Sequence, residues 1–412
     1  MTRNDRGRFI LTDTQKEILQ YIDENQQQYR DAAKQIHAHP EVSNHEFFAC
    51  DLLSSILSSH GFSVEANAAG HRTGFAASYR SGERGPVIAF LAEYDALPKL
   101  GHGCGHNLIG TIAAFSAVAV SRRLEELGGE VRVYGTPGEE GGEQGSAKES
   151  FVREGYFKDV DAALEVHPAV ANTLTPRTLA LDPIDIEFWG KAAHASTAPE
   201  QGVNALDALI LTYNGINALR QHLPKDVQIH GIVADGGSAP NIVPDYSRGR
   251  FFIRAKTRAQ VDLVNQKVRN IAAGAASMTG AKWKVSFFQN KIDDLVPNPK
   301  LDAVYRKHAE ELGETLSEID QFPTTDAGNV SHAVPTLHAS LKSLEENAPA
   351  HSVAFRDGCV RPYALDSIAR GAKLLSLTAL DLLQNPSLTK EIKAYHAGLL
   401  EKRESENAGA AV

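Results

Sequence analysis

Apolar residues recur at helical spacing along the first segment of the chain. Ile18, Tyr21, Ile22, Tyr29, Ala33 and Ile36 predict a long amphipathic helix that stops ahead of His39-Pro40. Ser43-Asn44-His45-Glu46 has the form of a capping box, with Ser43 as N-cap and Glu46 at the third helical position. It leads into Phe47, Phe48, Leu52, Ile56 and Leu57 at helical spacing, and Gly61 is a natural stop. From there strands and helices alternate. Residues 87–91 predict a buried strand, 109–127 a buried helix, and 131–134 and 161–166 further strands. Such alternation implies a mostly parallel sheet covered by helices.

The pattern changes near residue 180. Strand 185–188, helix 204–221, strands 227–233 and 247–255, helix 258–278 and strand 283–288 follow in the order β-α-β-β-α-β. That order is the one of a ferredoxin-like α+β sandwich. After Pro297-Asn298-Pro299 the α/β style returns, with a helix near 300–313, a strand at 336–341 and a helix at 364–383. The expected fold class is therefore α/β: a mostly parallel sheet domain carrying an inserted ferredoxin-like α+β lid. Its expected boundaries are 1–180 and 296–412 for the sheet domain and 181–295 for the lid. The small, polar tail after Glu401 is expected to fray.

Composition narrows the function classes. A net charge of -9 argues against nucleic acid or an anionic membrane as a main partner. The three cysteines, Cys50, Cys104 and Cys359, are too few and too scattered for a disulfide framework, which fits a reducing compartment. The N-terminus lacks an apolar core of signal-peptide length, and residues 109–120 are too short to span a bilayer. The expected location is the cytoplasm.

The candidate chemistry gathers at strand ends. In open α/β sheets, ligands bind outside the carboxyl ends of the strands. Strand 87–91 runs into Asp95 and then Gly101-His102-Gly103-Cys104-Gly105-His106-Asn107. In an extended backbone, Cys104 and His106 project to one side, and the glycines let the chain approach an ion closely. Strand 131–134 runs into Glu139-Glu140, strand 161–166 ends at His167-Pro168, and strand 336–341 is followed by His351. One rim thus collects Asp95, Cys104, His106, Glu139, Glu140, His167 and His351. A thiolate, imidazoles and carboxylates form a ligand set suited to Zn²⁺, Mn²⁺ or Co²⁺. Taken singly, each has a plainer reading: Asp95 as a turn or cap residue, Glu139-Glu140 as a solvated pair, His167 as a strand-end histidine. A doubled carboxylate also offers two roles, one residue holding metal and the other taking a proton from a water.

His39-Pro40-Glu41, Asp95-Ala96-Leu97-Pro98, Cys104-Gly105-His106, Glu139-Glu140 and His167-Pro168 occur in the order seen in the aminoacylase/carboxypeptidase metallopeptidases, which the chain resembles from about residue 30 to about 385. The similar branch is the amidohydrolase one, which includes p-aminobenzoyl-glutamate hydrolase, auxin–amino acid conjugate hydrolases and cytosolic dipeptidases acting on unusual dipeptides. The resemblance implies two divalent metal ions, with Cys104 shared by or lying between them. It implies His106, Glu140, His167 and His351 as the other ligands. His332 and His338 compete with His351 and are expected to be structural or to support a ligand. Glu139 takes the place of the general base acting on a metal-activated water, and Asp95 that of a carboxylate orienting a ligand imidazole.

In the lid, Gly190-Lys191-Ala192-Ala193-His194-Ala195 resembles the segment whose histidine reaches the substrate carbonyl, often in the partner subunit. Asn241 and Arg254 resemble elements that bind the substrate's backbone or carboxylate, and Asp326-Ala327-Gly328-Asn329 resembles a substrate-side loop. Two departures stand out. Asn107 replaces the Asp that many members carry after Cys-Gly-His, and Leu91-Ala92-Glu93-Tyr94-Asp95 replaces Arg-Ala-Asp-Met-Asp. Both variants resemble the sub-branch of p-aminobenzoyl-glutamate hydrolase and the unusual-dipeptide dipeptidases.

The expected activity is hydrolysis of the amide bond of a dipeptide or an N-acyl or N-aroyl amino acid, by a homodimer joined through the lid. The same site run in the amide-forming direction is the alternative. A non-catalytic metal-binding scaffold would have lost Glu139 or several ligands, and a redox role for Cys104 lacks a resolving cysteine close in sequence.

Overall fold

The computed structural model describes residues 11–318, 323–344 and 348–410. The first ten residues, on which part of the leader reading rests, lie outside the described ones. The chain divides into two compact units: residues 1–177, 295–322 and 326–412 form one, and 178–294 with 323–325 form the other.

The first unit holds strands β1 (Ser63–Ala66), β2 (Phe75–Arg80), β3 (Val87–Ala92), β4 (Glu130–Gly135) and β5 (Ala162–Ala169). The second holds β6 (Ala180–Trp189), β7 (Gln228–Asp235), β8 (Tyr246–Ala255) and β9 (Lys282–Phe287), and β10 (Thr336–Lys342) returns to the first. The first sheet has the order β1-β2-β4-β3-β5-β10. Its β4/β3, β3/β5 and β5/β10 pairs are parallel, and β1/β2 and β2/β4 are antiparallel. The expected mostly parallel sheet is therefore present, extended by an antiparallel edge that the weakly patterned SVEA and FAASYR stretches did not announce.

Helices Asp13–Ala38, His106–Ser121 and Pro362–Gln384 pack in this unit. Helix Asp13–Ala38 opens on a reciprocal Thr12/Gln15 capping box and buries Ile18, Ile22, Tyr29, Ala33 and Ile36. Tyr29 stacks on Phe115 with ring centroids 3.8 Å apart. Every residue of helix His106–Ser121 is buried, which explains an alanine-rich, charge-free sequence. Truncating Phe115 there would cost about 3–5 kcal/mol.

The second unit carries a four-stranded antiparallel sheet in the order β7-β8-β6-β9. Helices Ala205–Arg220 and Arg258–Thr279 pack against it, capped by Asn204 and Thr257 respectively. The β-α-β-β-α-β order and the strand order are those of the ferredoxin-like sandwich expected from the pattern.

Three local expectations fail. Ser43 caps no helix, because the helix Phe47–Ser59 begins later and Glu46 is drawn into the core. Glu46 accepts from Thr73 Oγ1 at 2.6 Å and from the Gly138 N–H at 3.0 Å. Glu41 does the capping instead, accepting from the backbone N–H groups of Phe48 and Ala49. Secondly, the helix expected over 109–127 is two helices, His106–Ser121 and Leu124–Leu127. Thirdly, the tail does not fray at Glu401: helix Pro386–Ala410 continues through a stretch rich in good helix formers. No described helix is long and apolar enough to cross a membrane.

Candidate metal centre

Cys104, His106, Glu139, Glu140 and His351 come from loops or helix starts after β3, β4 and β10, and His167 from within β5. The structure brings these six residues of the first unit together. Cys104, His106 and His167 offer ligand atoms all within 4.8 Å of one another, as do Cys104, Glu140 and His351, and as do Glu93, His106 and Glu139. Cys104 is common to the first two sets.

The local geometry differs from the extended segment expected around Cys104. Gly105 lies at φ +82° and turns the chain directly into the helix that starts at His106. A Cβ at Gly105 would lie 2.6 Å from Pro168 Cγ and 3.2 Å from Cys359 Sγ, so this turn requires glycine. β5 runs on through His167 and Pro168, past the strand end read from the sequence. The proline is tolerated because β3 pairs with β5 only through Leu164, leaving that side of β5 free of a ladder at Pro168.

Two of the three imidazoles, His106 and His167, are fixed by their second nitrogen. His106 Nδ1 lies 2.9 Å from Asp95 Oδ1 and donates to it, which leaves Nε2 for a cation. His167 Nδ1 donates to the Pro168 carbonyl at 2.9 Å, and its Nε2 lies 3.5 Å from Cys104 Sγ. His351 Nε2 lies 3.2 Å from Glu140 Oε1. His351 sits at φ +62°, a conformation costing about 1–3 kcal/mol for a residue with a side chain, and its N–H donates to the Gly103 carbonyl at 2.9 Å.

The turn carrying Glu139 and Glu140 is pinned from several sides. Asp95 Oδ2 accepts from the Glu140 N–H at 3.0 Å, so one carboxylate ties the His106 ring to the Glu140 backbone. Ser43 and Asn44 donate to the Glu143 carbonyl. Gly138 at φ +69° could not carry a Cβ, which would fall 2.2 Å from Ser43 Oγ.

Electrostatics follow from burial. Desolvation, reinforced by Glu93 and Glu140, pushes the Glu139 carboxyl well above its ordinary range. Burial acts upward on Glu140 too, but the His351 hydrogen bond and the His106 charge hold it below. Burial opposes charge on His106, while Asp95, Cys104 and Glu93 hold it well above the ordinary imidazole value. Burial lowers His167 and, against the pull of His106, raises the Cys104 thiol. A divalent cation inverts that last balance, since it deprotonates a coordinating thiol.

The residues fit a metal centre on their own terms. Glu93 Oε2 and His106 Nε2 are buried atoms without a hydrogen-bond partner, 3.3 Å apart. The donors are a thiol, imidazoles and carboxylates, a borderline set.

Sequence reasoning missed Glu93, Lys148 and Glu165. Lys148, fully buried, places its ammonium 2.5 Å from Glu93 Oε1 and 2.6 Å from Asp326 Oδ1. Asp326 also accepts from the Lys148 N–H, so its carboxylate is buried in this pair rather than offered to substrate. Glu165 is fully buried on β5, where burial and the Glu93 charge push it well up. An acidic residue inside the apolar run Ala162-Ala163-Leu164-Glu165-Val166 was the available signal. His338 stands opposite Glu165 on β10, and its ring lies 5.8 Å from that of His167.

His194, Asn241 and Arg254 lie in the second unit. The backbone brings His194 beside Ile242, and the Ala195 N–H donates to the Asn241 carbonyl. His194 Nδ1 is 3.2 Å from Ser196 Oγ. Arg254, on β8, donates from Nη1 to Thr324 Oγ1 at 2.8 Å.

Comparisons with known proteins bear on the family and the fold. The model of "Peptidase family M20/M25/M40" matches residues 89–381. A Xaa-Arg dipeptidase of Mus musculus is 32% identical over 339 residues, covering 80% of this chain and 78% of that protein. A p-aminobenzoyl-glutamate hydrolase chain of Escherichia coli (strain K12) is 41% identical over 317 residues, covering 71% of this chain and 65% of that one. Among solved structures, the aminobenzoyl-glutamate utilization protein from Klebsiella pneumoniae superposes with a TM-score of 0.71 at 20% identity, covering 89% of this chain and 98% of its own. The Bacillus subtilis YXEP protein, a dinuclear metal-binding peptidase of family M20, gives 0.61 at 20% identity, covering 89% of this chain and 99% of its own. At these identities the structural likeness is one of fold.

Proposed function

The chain belongs to peptidase family M20/M25/M40 and is a metal-dependent amide hydrolase, and from that premise we propose that it cleaves a dipeptide or an N-acyl or N-aroyl amino acid with Glu139 as general base. The observation that carries this reading is the pair of ligand sets that share Cys104, with Glu139 beside them.

In this proposal Cys104, His106 and His167 hold one divalent ion, and Cys104, Glu140 and His351 hold a second. Zn²⁺ is the first choice for this donor set, with Mn²⁺ or Co²⁺ as alternatives. When bound, the ions supply Lewis acidity that acidifies a water and polarises an amide carbonyl. Glu139 takes the proton of that water and returns it to the departing amine nitrogen. Asp95 keeps His106 in the tautomer that presents Nε2. His194 donates to the oxygen that gains negative charge. Arg254 and Asn241 bind the free carboxylate of the substrate, the guanidinium as a charged donor.

The assembly is a homodimer joined through the second unit, and the location is cytoplasmic. Support for the dimer lies in β7, an edge strand whose Ile232 and Val233 are 63% and 53% exposed. The test is hydrolysis of dipeptides, N-acyl amino acids and p-aminobenzoyl-glutamate, with metal content measured on the same protein. Chelator-sensitive cleavage with close to two metals per chain supports the proposal; metal-free protein that cleaves as fast overturns it.

A further inference from the structure

Ser43-Asn44-His45-Glu46 is spelled like a helix cap, yet its side chains cap no helix. They hold the loop that carries Glu139 and Glu140 instead. Glu46 Oε1 accepts from the Gly138 N–H at 3.0 Å, one residue ahead of Glu139. Ser43 Oγ and Asn44 Nδ2 donate to the Glu143 carbonyl at 2.9 and 2.8 Å, beyond Glu140. The two acidic residues therefore lie between two anchors that come from one short segment. That segment is itself secured. Thr73 Oγ1 donates to Glu46 Oε2 at 2.6 Å, and His71 Nδ1 donates to Asn44 Oδ1 at 2.9 Å.

The loop needs such anchoring. Gly138, Gly141, Gly142, Gln144 and Ser146 all have positive φ, the last two without the freedom of glycine. Backbone of this kind persists only where its surroundings over-determine it, and it gathers at functional sites. Glu139 Oε2 lies 3.9 Å from His106 Nε2, too far for a hydrogen bond to that ring to orient it, so its aim depends on the turn. Glu46 is wholly buried, and among the described residues no lysine or arginine pairs with it. Burying an acid without a cation opposes folding, and an apolar side chain would fill the same space. What an apolar side chain lacks is an acceptor for Gly138 and a partner for Thr73.

We propose that Glu46 is a positioning residue for the hydrolysis: by bridging Thr73 to Gly138 it fixes the backbone from which Glu139 reaches the reacting water. The inference rests on the reading of Glu139 as general base. Its two hydrogen bonds matter here, not its charge, so glutamine serves as well. The amide oxygen faces the Gly138 N–H, and the NH₂ donates to Thr73 Oγ1, a hydroxyl that accepts as well as donates. Methionine fills the space and bridges neither.

The test compares the Zn²⁺-loaded full chain with Glu46→Met and Glu46→Gln. Hydrolysis is followed on p-aminobenzoyl-glutamate and a dipeptide panel, and amide hydrogen exchange on the 136–146 segment. Glu46→Met lowers kcat about 10–100-fold, the effect of a misplaced reacting group. KM and metal content stay within about twofold of wild type, and the segment exchanges faster. Glu46→Gln keeps wild-type kcat and exchange. Added to Glu139→Gln, Glu46→Met produces no further loss, because both changes act through one group. Thermal melting identifies a variant that has merely unfolded. Glu46→Asp, one methylene too short to span from Thr73 to Gly138, takes the place of Glu46→Met if that variant fails to fold. Wild-type kcat in Glu46→Met, a Glu46→Gln variant as impaired as Glu46→Met, or losses that add in the double variant overturn this inference and leave the hydrolase reading standing. Wild-type turnover by Glu139→Gln, or wild-type protein inert on every substrate of the panel, defeats that reading and this inference together.

Discussion

Asp95→Asn is the most informative single change, because one carboxylate serves two donors. Oδ1 accepts from His106 Nδ1 at 2.9 Å and Oδ2 from the Glu140 N–H at 3.0 Å, and the residue is 1% exposed. Asparagine has one acceptor oxygen. If that oxygen faces His106, the amide NH₂ confronts the Glu140 N–H, and a buried donor is left unpaired at a cost of about 1–3 kcal/mol. If the amide flips, its NH₂ faces His106 Nδ1 and drives the ring proton to Nε2, the nitrogen a metal needs. Either arrangement damages the centre, through the Glu140 turn or through the His106 tautomer. Metal affinity should fall about 10–100-fold, the usual effect of losing such a supporting partner, or about 1.4–2.7 kcal/mol. Calorimetric titration with Zn²⁺ or Co²⁺ measures the loss, and ¹H–¹⁵N correlation across the imidazole reports the tautomer. Affinity within twofold of wild type, with the His106 proton still on Nδ1, would refute the reasoning.

Other outcomes follow from the same geometry. Glu139→Gln should lower kcat by about 10²–10⁴ while metal content stays at the wild-type level; wild-type turnover would remove Glu139 from the reaction. Chelation should abolish hydrolysis, and Zn²⁺, Mn²⁺ or Co²⁺ should restore it; full activity in chelated, metal-free protein would refute this. Arg254→Met should raise KM about tenfold or more for a substrate with a free carboxylate, at a cost of roughly 1.5–3 kcal/mol, and leave its amidated counterpart unaffected. Burial lowers His71 and His396 from 6.5 to about 4. Their folded values lie below the unfolded one, so the stability they contribute is complete above pH 6.5 and is lost as pH falls toward 4. At pH 5.5 each should cost roughly 1.4 kcal/mol, and denaturant melts of His71→Gln and His396→Gln should recover that amount relative to the loss in wild type.

The parts of this molecule legible in the sequence are those whose pattern has a period or a fixed order. The parallel strands read as apolar runs, and the second unit by its β-α-β-β-α-β order. The rim residues were legible because loops after parallel strands share one end of the sheet. What stayed hidden was set by tertiary pairing. Glu46 has the spacing of a capping residue, but Thr73 and Gly138 draw it into the core. Glu93 and Lys148 lie far apart in the chain and are meaningful only as a buried pair. No local rule gives His351 its positive φ.

The order in which the chain is made adds a timing constraint. β10 pairs with β5 across roughly 170 residues of sequence. At about 5–20 residues per second, a ribosome needs roughly ten to thirty seconds to supply that partner after β5 has emerged. Through that interval Cys104, His106, Glu140 and His167 already exist without His351, and one flank of β5 is open to foreign strands. A nascent chain therefore passes through a window in which it can be oxidised, mis-metallated or aggregated, and a cell making this protein quickly would need to shield it until the last quarter of the chain has been translated.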